Sequence, residues 1–488
     1  MKFMEQTIFE LSRPGRVGVR MPACDVPVKP LGDLLPGVAL RSELPLPELS
    51  EPEVVRHFVR ISNLNYCVDK GFYPLGSCTM KYNPKINDVA VNMPGFARVH
   101  PYQPEETAQG AIEVLYEMQN MLSTILGMDA VSLQPAAGAH GELLGLMLIR
   151  AYHVHRGDGE IRKMVLVPTA AHGTNPASAA RCGYKVVDVK TNERGLTDID
   201  HLKEQLAKNE GHIAGFMLTN PNTVGLFEEE ILEISRLVHE AGGLMYCDGA
   251  NMNALVGTVR PGDMGFDVMH VNLHKTFSVP HGGGGPGSGP VGVKAILEPF
   301  LPVPMAVKHA DGSFGLDSDR PLSIGKVGPY AGAYLAVVRG YAYLMHYGRE
   351  KLPQISENSV LNASYLKAKL SKTFAVAYDR PCMHEAVFSL ERLKKDYNVK
   401  ALDVCKRIID YGYHPPTMYF PLIVPECLMI EPTETESLET LDAFVEVMEK
   451  IAQEAADNPA LVQGAPYNAP TKRLDEPYAA RNLDVAWK

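Results

Sequence analysis

Between residues 130 and 293 the chain alternates short apolar runs with amphipathic stretches, and this rhythm limits its fold more than any other feature. The apolar runs predict strands at 130–134, 164–168, 185–189, 214–219, 244–248, 268–272 and 291–293. Helices are predicted between them, at 139–152, 198–208 and 227–241. Ahead of the first strand, Ile112, Leu115, Met118, Leu122 and Ile125 recur at helical spacing. A chain that keeps switching between the two periods is expected to build an α/β domain around a large, mostly parallel sheet. Ligands in such sheets sit beyond the carboxyl ends of the strands. Gln134, Pro168, Thr219 and Asp248 all fall at predicted ends, which gathers four distant segments around one place.

A length of 488 residues exceeds what a single core supports. Three regions are expected. Residues 1–60 carry Pro14, Pro22, Pro27, Pro30, Pro36, Pro45, Pro47 and Pro52, which interrupt any long element. They read as an extended N-terminal arm laid on the body or on a partner subunit. A disordered tail is the alternative, and the many Val and Leu residues argue for burial instead. Residues 61–330 read as the large α/β domain, and 331–488 as a smaller C-terminal α+β domain with a tail. In the latter, 328–375 is mostly helical, 384–391, 417–422 and 425–430 are short strands, and 437–455 is a helix. The run at 281–290 holds too much glycine for regular structure and is expected to be a mobile loop.

A formal net charge of −10 argues against nucleic acid, because phosphate affinity needs clustered Lys and Arg. No apolar run approaches the ~18–20 residues of a membrane helix. The N-terminus lacks the long apolar stretch of a secretion signal. The eight cysteines include no Cys-x-x-Cys pair, so no metal is expected, and reduced thiols in a cytoplasm are the simplest account.

Asp248 closes the apolar run Leu244-Met245-Tyr246-Cys247, and Lys275 follows 27 positions later, next to His274 and Thr276. That interval holds one turn and one further strand. An acid at one strand end and a lysine at the next can grip both ends of a pyridoxal ring. The lysine bonds to the aldehyde carbon and the carboxylate pairs with the ring nitrogen. The pair therefore points to pyridoxal 5'-phosphate (PLP). Taken alone, a lysine near a strand end is most often a solvated charge, and an acid before Gly249-Ala250 suits a helix N-cap. The spacing of the two residues and the glycine run beyond them favour chemistry. A nucleophilic lysine must be desolvated or sit near another cation, and His274 is expected to belong to that setting.

The small-residue turn 134–142 leaves a strand and opens a helix. Gly138 and Ala139, with His140 beside them, are the expected phosphate anchors, although many such turns bind nothing. His172 is expected to stack on the cofactor face. Thr174 would hydrogen-bond nearby or cap the helix that Pro176 begins. In the polar loop 71–82, Ser77 or Cys78 as a nucleophile ranks low, because no base stands beside either in sequence.

These segments resemble the P-protein of the glycine cleavage system, a PLP-dependent glycine dehydrogenase (aminomethyl-transferring). The resemblance is carried by Pro74-Leu75-Gly76-Ser77-Cys78-Thr79-Met80-Lys81, the 134–142 turn, His172 through Ser178, and Asn251 after Asp248. His274-Lys275-Thr276, the glycine run and Leu428-Met429-Ile430-Glu431-Pro432-Thr433-Glu434 complete it, so that it spans most of residues 60–440. It implies the aspartate-aminotransferase-like fold type I of PLP enzymes, with 61–330 as the PLP-binding domain. It implies Lys275, Asp248 and His172 as catalytic residues, and Gly138, Ala139, His140, Thr174, Asn251 and His274 as further cofactor contacts. Ser77, Cys78 and Thr79 form an active-site loop without assigned chemistry.

The opening Phe9-Glu10-Leu11-Ser12-Arg13-Pro14-Gly15-Arg16 resembles the start of the second subunit of the two-subunit form. A homologous partner subunit lacking the lysine, in an α2β2 assembly, is then implied, with lipoylated H-protein as the other partner. The implied reaction releases CO2 from glycine and passes the aminomethyl group to the lipoyl arm. The 281–290 loop is expected to gate that arm. The group holding the glycine carboxylate is not identified; Arg320, Arg380 and His384 are candidates by position alone.

Two rival readings share part of this pattern. A decarboxylase, desulfurase or aminotransferase of the same fold would share Asp248 and Lys275, but is not expected to carry the 77–81 loop and the glycine run. A scaffold half without activity is disfavoured by the presence of both residues.

Overall fold

The computed structural model describes residues 5–41, 43–100, 103–282 and 287–485. Four residues of the glycine run, 283–286, lie outside the described residues, and with them the expectation of a mobile, gating loop. The chain forms two compact units, Met1–Cys67 with Ala465–Lys488, and Val68–Gly464. In the first, the helix Glu51–Leu64 begins inside the stretch read as an extended arm. Ser50 and Glu53 form a capping box there, and Pro52 falls in the first turn, where no N–H is needed. Ahead of it, Val17, Val19, Met21, Val26, Val28, Leu44 and Leu46 are exposed.

The second unit is built on a seven-stranded sheet. Its strands are β1 (Ala130–Ser132), β2 (Met164–Pro168), β3 (Lys185–Val189), β4 (Ile213–Thr219), β5 (Leu244–Gly249), β6 (Val268–Val271) and β7 (Val291–Val293). Their order is β1-β7-β6-β5-β4-β2-β3. All pairs are parallel except those of β7, which runs antiparallel to β1 and β6. Every residue of β4 and β5 is buried. Strands covered on both faces need no polar alternation, which is why they read as unbroken apolar runs. Along β5 the side chains divide between two cores: Met245 and Cys247 pack on one face, Leu244 and Tyr246 on the other.

The helix Gly138–His155 lies against this second face. Small residues let it approach: a Cβ on Gly145 would come within 2.2 Å of the Tyr246 ring, and one on Gly141 within 2.7 Å of His270 Cβ. That contact brings the helix N-terminus to the carboxyl ends of β5 and β6.

After the hairpin β8 (Met305–Lys308) and β9 (Phe314–Asp317), the helical stretch Tyr334–Lys351, broken at Gly348, and the long helix Pro353–Leu370 lead to a second sheet. It is antiparallel throughout, made of β10 (Ala375–Val376), β11 (Ala386–Ser389), β12 (Thr417–Met418) and β13 (Cys427–Ile430) in the order β10-β11-β13-β12. Helix Leu438–Asp457 packs its Leu441, Phe444, Met448 and Ile451 into the core beside Phe388 and Leu428. The large mostly parallel sheet with a smaller α+β region is the fold type I architecture expected above.

Candidate active site

A cavity of about 600 Å³ opens beyond the carboxyl ends of β4, β5 and β6, and both Asp248 and Lys275 line it. Asp248 is the penultimate residue of β5 and is buried. Its Oδ1 accepts from the Ala250 N–H at 2.9 Å and lies 3.3 Å from His270 Nε2. Its Oδ2 accepts from Asn175 Nδ2 at 3.0 Å. His270 stands on β6 directly opposite Asp248, and its Nδ1 meets the Tyr246 hydroxyl at 2.6 Å. Burial alone would push the Asp248 carboxyl up. The nearby His270, the two donated hydrogen bonds and Lys275 outweigh it, so the carboxyl stays below its ordinary range. The cavity is thus provided with a fixed anion that a protonated ring nitrogen can meet.

Lys275 follows β6 in a tight turn, its N–H bonded to the Asn272 carbonyl at 3.0 Å. Its Nζ donates to the Ser77 carbonyl at 2.8 Å. Burial, with help from His281 and Lys275, drives the neighbouring His274 down to about 3, so that ring is neutral. The Ser288 N–H donates to its Nδ1 at 3.4 Å.

Gly138 and Ala139 also line the cavity and open the helix Gly138–His155, where free backbone N–H groups suit a phosphate. A Cβ on Gly138 would come within 2.6 Å of Asn272 Oδ1, so this position takes only glycine without rearrangement. Asn272 Oδ1 and Thr219 Oγ1 are buried, belong to lining residues and have no hydrogen-bond partner among the described residues. An anion cradle, a buried carboxylate, a lysine and two orphaned polar atoms around one cavity fit PLP.

His172 and Thr174 also line the cavity. Thr174 Oγ1 lies 2.8 Å from His172 Nδ1 and 2.8 Å from Glu142 Oε1, and the Thr174 N–H points to the same Nδ1 at 3.2 Å. One hydroxyl proton cannot serve both neighbours. A proton on Glu142 resolves this, and burial together with Asp248 raises that carboxyl to about 7. Asn251 lines the cavity and is anchored by its Nδ2 to the Pro221 carbonyl at 2.9 Å.

The Ser77–Thr79 loop closes one side. Leu75 bridges to Ile430, Gly76 O accepts from Thr417 Oγ1 at 2.7 Å, and a Cβ on Gly76 would meet Met429 Cγ at 2.3 Å. Ser77 is held at φ 64, a strained angle for a non-glycine residue. Ser77 and Cys78 line the cavity, whereas Thr79 does not; its hydroxyl bonds Glu431. Burial raises the Cys78 thiol despite Lys275, the reverse of an activated nucleophile. His140 also falls outside the lining, its Nδ1 accepting from the Ala136 N–H at 3.3 Å.

No arginine is among the described residues lining the cavity. Arg320 is tied to Glu298 and Arg380 to Glu229. Two site residues escaped sequence reasoning: Glu142 and His270. His270 left a signal, a polar residue inside an otherwise apolar strand. Glu142 lies one helical turn beyond Gly138, on the same face.

Comparison with known proteins finds relatives along the whole chain. The family described as Glycine cleavage system P-protein matches residues 34–306, and that described as Glycine dehydrogenase, C-terminal domain, matches 355–466. A probable glycine dehydrogenase (decarboxylating) subunit 2 from Caldanaerobacter subterraneus subsp. tengcongensis is 58% identical over 488 residues, covering 100% of this chain and 99% of that one. Its counterpart in Chloroherpeton thalassium is 56% identical over 487 residues, covering 99% and 98%. Among solved structures, an inhibitor-bound glycine decarboxylase (P-protein) of the glycine cleavage system superposes with a TM-score of 0.69 at 21% identity, covering 86% of this chain and 93% of that one. An aspartate aminotransferase from Thermus thermophilus gives 0.56 at 14% identity, with 78% and 99% covered.

Proposed function

We infer the activity from one premise: the chain belongs to the glycine cleavage system P-protein family. It is a glycine dehydrogenase (decarboxylating), an oxidoreductase of glycine catabolism, and corresponds to the second subunit of the two-subunit form. The reaction it serves removes CO2 from glycine and transfers the aminomethyl group to the lipoyl arm of H-protein. PLP is the cofactor this reading requires; bound in the cavity, it supplies the electron sink that decarboxylation needs.

The chain's own residues have distinct tasks in this reading. Lys275 would hold the cofactor covalently through its side-chain amine. Asp248 keeps the ring nitrogen protonated. The N-terminal turn of the helix Gly138–His155 takes the phosphate, and His172 covers the ring face. The observation that carries the reading is that Asp248, Lys275 and that helix N-terminus all line one cavity.

A homologous subunit 1 lacking the lysine completes an α2β2 assembly, and the exposed apolar side chains between Val17 and Leu46 give it a surface to cover. We place PLP binding in 61–330 and the smaller domain in 331–488. A cytoplasmic location accords with eight unpaired cysteines. No helix among the described residues is long and apolar enough to cross a membrane.

Borohydride reduction of the PLP-loaded protein, followed by peptide mapping, tests the site. The expected adduct is on Lys275, and an adduct on another lysine overturns the assignment. Glycine–CO2 exchange that depends on lipoylated H-protein and on co-expressed subunit 1 tests the reaction. Exchange without H-protein would point to a different decarboxylase of this fold.

A further inference from the structure

A second acidic cluster lies close to Lys275, yet none of its members lines the cavity. Strands β11 and β13 pair with Ala386 opposite Ile430. The residues just outside that rung, Glu385 and Glu431, therefore lie side by side, and His384 adjoins them. All three are buried, with exposures of 0%, 1% and 0% for Glu385, Glu431 and His384. One nitrogen or oxygen of each lies within 4.8 Å of the others.

Their bonds are few and all lead to one loop. Glu385 Oε2 accepts from the Ser77 N–H at 2.8 Å, and Glu431 Oε1 accepts from the Thr79 hydroxyl. Glu385 Oε1, Glu431 Oε2 and both ring nitrogens of His384 have no hydrogen-bond partner among the described residues. Two buried carboxyl groups within 4.8 Å of each other, each with one oxygen lacking a partner among the described residues, favour one proton between them over two full charges.

We propose that Glu385 and Glu431 share a single proton and together act as positioning residues for Lys275. They anchor the Ser77–Thr79 loop, whose Ser77 carbonyl holds the lysine ammonium, and they present it with one net negative charge. The link is short: Lys275 Nζ to Ser77 O, then across the same residue from Ser77 N to Glu385.

The surrounding charges agree. Burial raises Glu385 to about 7 against the opposing Ser77 N–H and Lys275. Burial and the neighbouring Glu385 raise Glu431 further, against Thr79, Lys275 and Lys81. Burial and Lys275 drive His384 down to about 3, so the imidazole is neutral and adds no charge. Cys78, the other titratable group facing Glu431, is raised as a thiol. A histidine with two carboxyls is also a donor set for a divalent cation. Here Lys275 already faces both carboxyl groups and Lys81 faces Glu431, and each carboxyl group has given one oxygen to the loop.

The consequence for the reaction rests on the reading of Lys275 as the cofactor's lysine. When the lysine is released its ammonium finds a counter-charge in place. When it is bound to the cofactor the pair can take a second proton rather than remain an uncompensated buried anion.

The test uses the protein without cofactor, so its outcome is separate from that of borohydride mapping. The pH midpoint of Lys275 acetylation by acetic anhydride is measured by peptide mass spectrometry in wild type, Glu385→Gln, Glu431→Gln and the double variant. A shared proton predicts that each single variant keeps the wild-type midpoint, because one carboxylate remains. The double variant should fall by about one pH unit or more. Single variants that each shift by about half of that would show two ionised groups, and an unmoved double variant would show no coupling; either result overturns the proposal. Stoichiometric divalent metal in the purified protein would also overturn it. Should the double variant fail to fold, infrared difference spectra decide from the single variants. Each must lose the same protonated-carboxyl band relative to wild type, and a band lost in neither, or in only one, refutes the sharing.

Discussion

Lys81 and Lys275 lie near one another in the same unit, and they are held in opposite ways. Lys81 is fully buried, with four acceptors around its three N–H donors. Its Nζ donates to Asn253 Oδ1 at 2.7 Å, the Thr276 carbonyl at 2.9 Å and the Tyr343 hydroxyl at 3.3 Å, and it pairs with Glu434 at 2.5 Å. Lys275 is only half-buried and has a single partner among the described residues, the Ser77 carbonyl. A lysine whose every donor is committed is a structural post. A lysine held by one carbonyl can leave it, which a residue that alternates between two bonded states must do. The two are also linked: Lys81 Nζ donates to the carbonyl of Thr276, the residue after Lys275.

That contrast breaks most easily at Lys275 itself. Replacement by Ala should lower glycine–CO2 exchange by about 10³-fold or more and abolish the absorbance band near roughly 420 nm that PLP gives when bound to a lysine. Thermal unfolding of the cofactor-free protein should stay within about 0.5 kcal/mol of wild type. A large loss of stability with the band intact would exchange the roles of the two lysines.

Lys81→Met should do the reverse. Removing one partner of a buried ion pair strands Glu434 and costs about 3–5 kcal/mol in urea unfolding. Adding Glu434→Gln should recover much of it, since the uncompensated charge is then gone. Asp248→Asn comes next, at about 10²-fold in exchange with little change in the fold. The amide can still accept from Ala250 but no longer supplies a negative charge. Full activity in the Asp248→Asn variant would remove Asp248 from the chemistry.

The strands of the large sheet were legible because buried parallel strands leave unbroken apolar runs bounded by turns, and β2, β3 and β7 have their expected ends. That Asp248 and Lys275 would share one cavity was legible because both sit next to such runs. Lys81 was not. Its role depends on Tyr343 and Glu434, 262 and 353 positions away, and no local pattern records a partner at that distance. His140 shows the opposite failure. It continues the 134–142 turn in sequence, but after the helix starts at Gly138 its side chain turns back to the Ala136 N–H instead of the cavity. The arm illustrates a third limit. Eight prolines suggested extended chain up to residue 60, yet Pro52 lies where a helix tolerates it, and Glu51–Leu64 is helical.

The same lesson, that partners rather than burial decide what a charged group does, applies to two acids in the active site and yields the smallest effect. Asp248 and Glu142 are both buried and close to each other. Asp248 accepts two hydrogen bonds and faces His270 and Lys275, so it lies below its ordinary value. For Glu142, burial and the facing Asp248 outweigh its hydrogen bonds to Thr174, Asn175 and Ser178, and it rises to about 7. Their contributions to stability therefore run in opposite directions with pH. The Asp248 contribution is present above the unfolded value of 3.8 and is lost as pH falls through its lowered folded value. The Glu142 contribution is complete below the unfolded value of 4.5 and is lost as pH rises through about 7. Glu142→Gln mimics the protonated form, and the two hydroxyls of Thr174 and Ser178 can turn to meet its amide. Relative to wild type, this variant should therefore flatten the fall in stability between about pH 5 and pH 8, by on the order of 2 kcal/mol in urea unfolding of the cofactor-free protein. Parallel pH curves for the two proteins would show that Glu142 is already ionised, and the Glu142–Thr174–His172 chain would then have to draw its proton from the imidazole.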